Sequence, residues 1–482
     1  MGSELVQISR GRGLHSLESL ASAEQLESAL RAVPMPGKLK TFYLETFGCQ
    51  MNVHDSEKIA GLLRARGYQP VDHPEAANLI LYNTCSVREK AARKVYSRLG
   101  VIKKRGQRLG QRIGVLGCVA QQEGERMFAR APHINLVCAS ASYVQLPQLL
   151  ERLEQGENHI TGLTAAGESC FETEVTSRRN PFWAFLTIIE GCNKECAYCV
   201  VPRTRGPERS RPSDRILAEC RRLADEGYTE IQLLGQNVNS YTDPSPARMG
   251  FAELLVRVAE VKGLRRVRFA TSHPRDFTPD IVEAIDSDPV LCEQIHLPVQ
   301  SGSSAVLARM QRGYTREEYL EKTNCIRSAK RAMSISTDII VGFCGETEED
   351  FSETLSLLDT VGYNQVFSFV YSPRPNTPAA ELADTVPEEE KRRRLAILEE
   401  HQRRIQLQKN RELIGKEFEV LVEGFQPRLQ QAVGRTSSNR VLNFPGRREW
   451  MGQYFRVRVT AAGPNSLVGV RAEPAELNAP RP

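Results

Sequence analysis

Three cysteines stand close together in the middle of the sequence, at Cys192, Cys196 and Cys199. They follow the apolar run 184–191, which predicts a buried strand ending at the first cysteine. Three thiolates are one fewer than the four that usually hold a [4Fe–4S] cube, so one iron would lack a protein ligand. An open coordination position is typical of a catalytic metal site. We call these residues the loop trio.

Zinc is an alternative occupant of the loop trio, but its usual ligand sets include a second Cys-x2-Cys pair, and none follows in the sequence. Incidental thiols in a loop are the other alternative. The position directly after a strand favours a metal site over incidental thiols.

Three further cysteines each follow an apolar run in the first third of the chain. The runs cover residues 41–48, 78–84 and 113–117, and they lead into Cys49, Cys85 and Cys118. In an open parallel sheet the carboxyl ends of the strands share one edge, where ligand sites form. Cysteines separated by 36 and 33 positions can therefore converge. Ordinary buried thiols are the alternative, but the threefold repetition favours a second metal site. We call these residues the edge trio.

The surrounding pattern predicts an α/β protein. The chain has 482 residues, which at ~150 residues per domain suggests about three domains. We predict an N-terminal extension (1–38), an open parallel-sheet domain (39–155), a central partial (β/α)6 barrel (178–410) and a small C-terminal all-β barrel (411–475). The expected barrel strands are 182–189, 230–234, 266–270, 294–297, 334–341 and 365–371. A charged helix over 388–413 is expected to pack one narrow stripe, Leu395, Leu398, Ile405 and Leu413.

Composition excludes several classes of protein. Lys and Arg number 64 against 59 acidic residues, a net charge of +5, so neither a polycation nor an acidic disordered chain is indicated. No stretch approaches the ~18 apolar residues of a membrane span, and the first forty residues do not resemble a secretory signal. We therefore expect a cytoplasmic protein with no membrane contact. The other six cysteines are interpreted as structural: Cys138, Cys170, Cys220, Cys292, Cys325 and Cys344.

The loop trio, within Cys192-Asn-Lys-Glu-Cys196-Ala-Tyr198-Cys199, resembles the three-cysteine motif of radical S-adenosylmethionine enzymes. The resemblance implies a [4Fe–4S] cluster whose open iron binds S-adenosylmethionine. Electron transfer into the sulfonium would then yield a 5′-deoxyadenosyl radical. No side-chain acid or base is evident as essential, so no catalytic residue is predicted beyond the cluster ligands.

The first domain narrows the resemblance to methylthiotransferases. Thr46-Phe-Gly-Cys49-Gln-Met-Asn52, Asn83-Thr-Cys85-Ser-Val-Arg-Glu89 and Gly117-Cys118-Val-Ala-Gln121 are similar to the three blocks of that family. The resemblance implies that the edge trio holds a second, auxiliary [4Fe–4S] cluster, and that the terminal section is a TRAM RNA-binding barrel. Within this family, Cys85-Ser-Val-Arg-Glu89 and Val201-Pro-x-Thr-Arg-Gly206-x-Glu-x-Ser-Arg211 most resemble members that convert N6-dimethylallyladenosine at position 37 of tRNA to its 2-methylthio form. Cys344 departs from the family pattern, which usually has Pro there.

Polar residues at the barrel strand ends are candidates for S-adenosylmethionine binding. They are Tyr198, Gln236, Asn237, His273, Gln300 and Asp338. Turn and loop capping is the alternative role for each.

Basic segments suggest a polyanionic partner. Residues 88–112 hold ten Lys/Arg and one Glu, and residues 411–471 hold ten Lys/Arg against five Glu. A solvated face is the alternative interpretation of such a run. The candidate RNA contacts are Arg88, Arg203, Arg205, Arg209, Arg447 and Arg448. The expected partners are the anticodon stem-loop of tRNA, an electron donor such as flavodoxin or ferredoxin, and a sulfur source; a monomer is expected.

Two alternatives stay open at this point. The target could be a threonylcarbamoyl-adenosine tRNA or a ribosomal-protein aspartate, although the basic terminal barrel disfavours a protein target. The chain could also be a non-catalytic RNA-binding iron–sulfur sensor.

Overall fold

The structure is a computed structural model, and it describes residues 40–86, 89–108, 110–163, 175–246 and 248–472. The predicted extension at 1–38, Arg88 and Cys170 lie outside these residues. The chain divides into two compact units. The first comprises the described residues up to Arg179 together with Arg203–Gly206, and the second comprises Asn180–Pro202 and the described residues from Pro207 onward.

The first unit is built on a six-stranded sheet, in the order β2-β1-β3-β4-β5-β6, with every neighbouring pair parallel. Its strands are β1 (Thr41–Phe47), β2 (Gln69–Pro70), β3 (Leu79–Thr84), β4 (Arg112–Gly117), β5 (Leu136–Cys138) and β6 (Ile160–Gly162). Its helices are α1 (Gln50–Ala65), α2 (Glu89–Arg108), α3 (Cys118–Glu123), α4 (Arg126–Arg130) and α5 (Leu146–Glu154).

Apolar clusters cover both faces of this sheet. Alternate residues of β3 contribute to the two clusters, so the whole strand is buried. This is the pattern of a central strand in a parallel sheet with helices on both sides, and it confirms the predicted open-sheet fold. The sheet continues past the predicted boundary at residue 155, because β6 pairs with β5. A three-residue strand is too short to show a period in the sequence.

The second unit contains the six predicted barrel strands as two parallel sheets, β7-β10-β11 and β12-β13-β14. A parallel bridge between Val267 and Leu291 links β11 to the segment before β12. The strands are β7 (Trp183–Thr187), β10 (Glu230–Leu234), β11 (Arg266–Phe269), β12 (Gln294–His296), β13 (Ser334–Val341) and β14 (Gln365–Val370), with a short antiparallel pair β8 (Ile189–Glu190) and β9 (Arg209–Ser210). The partial (β/α)6 barrel is confirmed.

Helices surround these strands, and two of them begin with reciprocal caps. The helices are α6 (Val201–Thr204), α7 (Ser213–Asp225), α8 (Phe251–Ala259), α9 (Pro279–Ser287), α10 (Ser304–Arg309), α11 (Arg316–Arg327), α12 (Glu348–Val361) and α13 (Glu388–Arg411). Thr315 and Glu318 form a capping box at α11, and Thr347 and Asp350 form one at α12. Each box satisfies two backbone donors that the first turn leaves without partners.

The predicted apolar stripe of α13 is only partly correct. Leu398 is buried, and Leu395 and Ile405 pack at the edge of the barrel core. The other buried positions of this helix are polar: Lys391, Arg394, Gln402 and Asn410. Arg394, for example, contacts Glu346 at 2.8 Å. Because these buried side chains are charged or polar, the spacing of apolar residues in the sequence does not reveal the buried face of α13.

The terminal section is a closed five-stranded barrel, in the order β15-β16-β17-β19-β18, as predicted. Its strands are β15 (Glu417–Gln426), β16 (Gln431–Arg435), β17 (Val441–Pro445), β18 (Tyr454–Ala462) and β19 (Leu467–Arg471). Two buried arginines of β11 join it to the partial barrel. Arg266 donates to the carbonyls of Arg435 and Glu419, and Arg268 donates to those of Thr436 and Ser437. Among the described residues, no helix is both long and apolar enough to cross a bilayer.

Candidate functional site

The edge trio lies at the carboxyl ends of three neighbouring strands of the first unit. Phe47, Thr84 and Gly117 stand opposite one another in β1, β3 and β4. Cys49 comes two residues after the first of these positions, and Cys85 and Cys118 come one residue after the others. The register of the sheet therefore brings together three residues that are far apart in sequence.

Two glycines make room at this edge. A Cβ on Gly48 would stand 2.4 Å from the Cβ of Cys85, and a Cβ on Gly117 would stand 2.4 Å from the Thr84 carbonyl oxygen. Gly117 also has a φ of +97°, a conformation that side chains disfavour. The glycines before the first and third cysteines are therefore required by close packing around the trio.

Buried amides support the edge trio from behind. Cys49 Sγ lies 3.2 Å from Asn52 Oδ1, and Asn52 donates to Asn83 Oδ1 at 3.2 Å. Asn83 donates in turn to the Ser56 hydroxyl, and its Oδ1 accepts from Tyr143. Hydrogen-bonded, buried amides fix the strand ends, which explains why Asn occurs beside the first two cysteines.

A buried ion pair sets the charge near the edge trio. Arg205 and Asp55, 150 positions apart, contact each other at 2.5 Å, and both side chains are almost fully buried. The hydrogen bond with Cys85, helped by the charge of Arg205 and a hydrogen bond from the Asn52 backbone amide, lowers the pKa of Cys49 to about 6 against the opposing effect of burial. Cys49 is therefore a thiolate at neutral pH, the form that binds metal. The edge trio fits a metal cluster on this ground.

The loop trio follows β7 and β8 in the second unit, and a set of polar contacts holds its loop. Gln236 Oε1 accepts from the Gly191 amide at 2.5 Å, directly before the first cysteine. Lys194 pairs with Asp276 at 2.7 Å, and Asn237 donates to the same carboxylate at 2.6 Å. These contacts tie the loop to the carboxyl ends of β10 and β11.

Cys196 lies nearest to hydrogen-bond donors within the loop trio. Arg312 donates to its Sγ at 3.3 Å. His273 Nε2 lies 4.0 Å from the same sulfur. Burial, with the nearby charges of Arg312, Lys194 and Arg275, lowers the pKa of His273 to about 2, so the ring is neutral. Because His273 Nδ1 accepts from the Arg275 amide, the proton belongs on Nε2 and faces the sulfur.

The remaining thiols of the loop trio are protonated in the absence of metal. Burial raises the pKa of Cys192 to about 11 and that of Cys199 to about 12. Metal loading must therefore displace these protons. Donors aimed at the sulfurs, including the Lys194 amide 3.4 Å from Cys192 Sγ, suit thiolate ligands of a cluster.

No three His, Cys, Asp or Glu side chains in the described part of the chain are arranged to hold a single metal ion. A cluster of several irons takes each thiolate at a different iron, so its ligands stand further apart than those of one ion.

The predicted cofactor residues differ in their surroundings. Gln236, Asn237 and His273 are already hydrogen-bonded within the loops, as described above. Tyr198 is half-buried against a small apolar cluster, and Asp338 lies 3.5 Å from His296 Nε2. Gln300 is buried with a φ of +76°, and Thr271 has a φ of +72°. Non-glycine residues in this conformation concentrate at functional sites, and both follow barrel strands.

The predicted RNA contacts also separate into groups. Arg203, Arg447 and Arg448 are exposed. Arg209 is mostly buried and contacts Glu190 at 3.4 Å. The structure corrects the prediction that Arg205 contacts RNA. Arg205 is 5% exposed and paired with Asp55, so its guanidinium is unavailable to RNA. Within a basic segment, the sequence alone does not distinguish a buried arginine from an exposed one.

Most basic side chains of the terminal section are exposed. Besides Arg447 and Arg448, the exposed basic side chains among the described residues of the terminal section are Arg411, Lys416, Arg428, Arg456, Arg458 and Arg471. Trp450 lies against Phe455, with ring centroids 4.6 Å apart, and Arg471 lies over its ring. Positive charge together with partly exposed aromatic rings suits a nucleic acid.

Five of the six cysteines interpreted as structural are described. Cys138, Cys220, Cys292 and Cys344 are buried, and Cys325 is half-buried; all are free thiols. Cys344 Sγ lies 3.7 Å from the Ala379 carbonyl oxygen.

Sequence reasoning missed Arg312, Asp55 and the role of Arg205. A lone charged residue before a glycine, such as Arg312 before Gly313, resembles a solvated turn. The only sequence signal for buried hydrogen bonds beside the cysteines was the presence of Asn83 before Cys85 and of Asn52 after Cys49. The contacts of Arg205 with Asp55 and of Arg312 with Cys196 join residues more than a hundred positions apart, so no local sequence pattern predicts them.

Three families match the chain in order. Residues 41–139 match the uncharacterized protein family UPF0004, residues 186–358 the radical SAM superfamily, and residues 411–470 the TRAM domain. The three matches follow the three kinds of sheet seen in the fold.

Among solved structures, the chain is similar to the radical S-adenosylmethionine methyltransferase TsrM from Kitasatospora setae. The TM-score is 0.54 at 14% identity, covering 70% of this chain and 75% of that one. At this identity the similarity shows the fold.

Curated relatives match nearly the whole chain. A protein of Solibacter usitatus is 60% identical over 437 residues, covering 90% of this chain and 98% of its own length. A protein of Koribacter versatilis is 57% identical, covering 91% and 99%. One of Geobacter sulfurreducens is 46% identical, covering 89% and 97%. All three are named tRNA-2-methylthio-N(6)-dimethylallyladenosine synthase, and the chain belongs to this family of radical S-adenosylmethionine tRNA methylthiotransferases.

Proposed function

We propose that this chain converts N6-dimethylallyladenosine at position 37 of tRNA to 2-methylthio-N6-dimethylallyladenosine, by placing sulfur at C2 and methylating it. One observation carries the proposal. One cysteine trio follows the ends of three parallel strands and a second follows β7 and β8, in a chain 60% identical to a relative named for this product.

The six cysteines have distinct roles in this proposal. The edge trio would hold the auxiliary [4Fe–4S] cluster, and the loop trio would hold the cluster beside which S-adenosylmethionine binds. When bound, these groups supply one-electron reduction of the sulfonium and a carrier for the inserted sulfur.

The chain's own residues hold the ligands in place. Asn52 and Gly117 fix the edge trio, as the contacts above describe. Gln236 and the Lys194–Asp276 pair hold the loop trio. We assign Gln236, Asn237 and His273 to positioning the loop, and we keep Tyr198, Gln300 and Asp338 as candidates for S-adenosylmethionine contacts.

The partner is tRNA, and we propose that its anticodon stem-loop is the part bound. Exposed arginines such as Arg203, Arg447 and Arg448 would contact phosphates and give salt-dependent affinity. The target base must leave its stack to be modified. An electron donor of the flavodoxin or ferredoxin type, a sulfur source, a monomeric state and a cytoplasmic location complete the proposal.

The decisive experiment is mass spectrometry of tRNA nucleosides from cells that lack the gene, with and without a plasmid copy. N6-dimethylallyladenosine should accumulate without the gene, and the 2-methylthio form should return with it. Unchanged 2-methylthio-N6-dimethylallyladenosine would reject this target. Loss of a methylthio group from a threonylcarbamoyl-adenosine or from a ribosomal-protein aspartate would point to the other targets.

Anaerobic reconstitution tests the clusters separately. The wild-type protein should bind about eight irons per chain, and a triple alanine variant of either trio should bind about four. Of these two variants, only the one that keeps the loop trio should cleave S-adenosylmethionine to 5′-deoxyadenosine when reduced. A wild-type protein that binds iron and tRNA without this cleavage would be a sensor.

A further inference from the structure

Arg312 is a buried cation whose polar partners are mostly neutral. It is 5% exposed, and it donates to the Pro298 carbonyl at 2.8 Å and to the Tyr314 hydroxyl at 3.0 Å. Its third partner is Cys196 Sγ at 3.3 Å. None of the described residues places a carboxylate within ion-pair distance of its guanidinium. A buried charge without a counter-charge is costly, so an anion is expected beside it.

Other buried arginines of the chain do contact carboxylates. Arg205 contacts Asp55, Arg268 contacts Glu230 at 2.9 Å, and Arg394 contacts Glu346 at 2.8 Å. Arg312 differs because its one ionisable neighbour within hydrogen-bond distance, apart from the Tyr314 hydroxyl, is a thiol of the loop trio. The anion that would compensate Arg312 is therefore a thiolate bound to metal.

The surroundings hold the guanidinium in this geometry. The Ala197 amide donates to the Met310 carbonyl at 2.9 Å, which joins the segment before Arg312 to the cysteine loop. The Tyr314 hydroxyl lies 2.9 Å from the Val299 carbonyl oxygen. Because Tyr314 and the Pro298 carbonyl already fix the planar guanidinium of Arg312, it loses little conformational freedom when it donates to Cys196.

We propose that Arg312 is the built-in counter-charge of the cluster held by the loop trio, and that it raises the reduction potential of that cluster through Cys196. The inference rests on the proposed function, which supplies the cluster and the one-electron donor. Gaining an electron makes the cluster more negative, and a fixed positive charge and a hydrogen bond to sulfur favour that state. Arg312 exchanges no proton or electron, so it is a positioning residue that acts through Cys196.

The test measures the midpoint potential of one cluster in the full-length protein. A background with Cys49→Ala, Cys85→Ala and Cys118→Ala leaves only the cluster of the loop trio. In that background Arg312→Gln should lower the ratio of reduced to oxidised cluster about tenfold at a fixed potential, which for one electron is ~59 mV. Arg312→Lys keeps the charge and should show a smaller loss.

Arg257→Gln is the matched control, because it removes one positive charge from the exposed surface of the same unit. Its potential should equal that of the background. A midpoint for Arg312→Gln equal to that of Arg257→Gln would overturn the inference while leaving the proposed function intact. Failure of the background protein itself to bind about four irons would instead count against the proposed function.

A second measurement needs no substitution at Arg312. The background protein labelled with 15N-arginine should show a 15N hyperfine coupling to the reduced cluster in pulsed EPR. Absence of that coupling would overturn the inference even if Arg312→Gln fails to fold.

Discussion

The two cysteine trios meet the same chemical demand in different ways. The loop trio comes from eight consecutive residues after β7 and β8, whereas the edge trio comes from the ends of three neighbouring strands. At the edge trio, hydrogen bonds and Arg205 lower the pKa of Cys49 to about 6. At the loop trio, burial raises the pKa of Cys192 to about 11, and Arg312 lacks a carboxylate partner among the described residues.

The difference teaches which part of the structure each site depends on. A motif within one loop can keep its spacing while distant packing changes. A site made of three strand ends depends on sheet register, on glycines that admit close approach, and on a buried ion pair. We therefore expect the edge trio to be more sensitive to substitutions outside the cysteines.

The largest expected effect separates the two trios by chemistry. Cys85→Ala and Cys196→Ala should each reduce methylthio product more than about a hundredfold, since even outer-shell partners of metal ligands cost about 10–100-fold. Only Cys196→Ala should also abolish cleavage of S-adenosylmethionine. Cys220→Ala, a buried thiol outside both trios, is the control and should keep both activities. Full cleavage by Cys196→Ala would contradict the assignment.

The next effect concerns the buried ion pair beside the edge trio. Asp55→Asn removes the carboxylate that pairs with the buried guanidinium of Arg205 and should destabilise the first unit by about 3–5 kcal/mol. Glu151→Gln, which breaks the more exposed pair with Arg66, should cost about 0–1 kcal/mol. Hydrogen exchange of β1 and β3 amides in increasing urea measures both. Equal losses of unfolding free energy in the two variants would show that the buried pair of Arg205 and Asp55 contributes no more stability than the exposed pair.

Gly117 tests whether register and close packing hold the edge trio. Gly117→Ala places a Cβ against the Thr84 carbonyl in a left-handed conformation and should cost about 1–3 kcal/mol. Bound iron should fall from about eight toward about four per chain. Gly110→Ala is the control, because Gly110 has a φ of +63° with nothing within 4 Å of the added Cβ. Iron content retained in Gly117→Ala would weaken the dependence on register.

The smallest effect is a difference in pH profile between the trios. In metal-free, reduced protein, the pKa of about 6 makes Cys49 a thiolate above that pH, so its alkylation rate should level off above about pH 7. Cys192, with a pKa of about 11, should become steadily more reactive up to about pH 11. Mass spectrometry of alkylated peptides, with each rate normalised to its own maximum, compares the shapes. Parallel profiles would contradict the two electrostatic environments.

Much of the fold was predictable because its signals are local. β1, β3 and β4 end at or within one residue of the expected positions, and the six barrel strands and the closed terminal barrel match the apolar runs. The short β6 and the polar buried face of α13 were not predictable. A three-residue strand has no measurable period, and a buried ion pair has the same sequence signature as a solvated one.

The sequence alone determined the residue types, the spacing of the loop trio and the placement of each edge cysteine after an apolar run. These are properties of short segments, where strand period and turn chemistry act. Only the tertiary structure decided that Arg205 is buried against Asp55 rather than exposed, and that Arg312 donates to Cys196. Burial and charge pairing depend on residues brought together from distant positions, and the energy of a charge depends on that environment rather than on its neighbours in the chain.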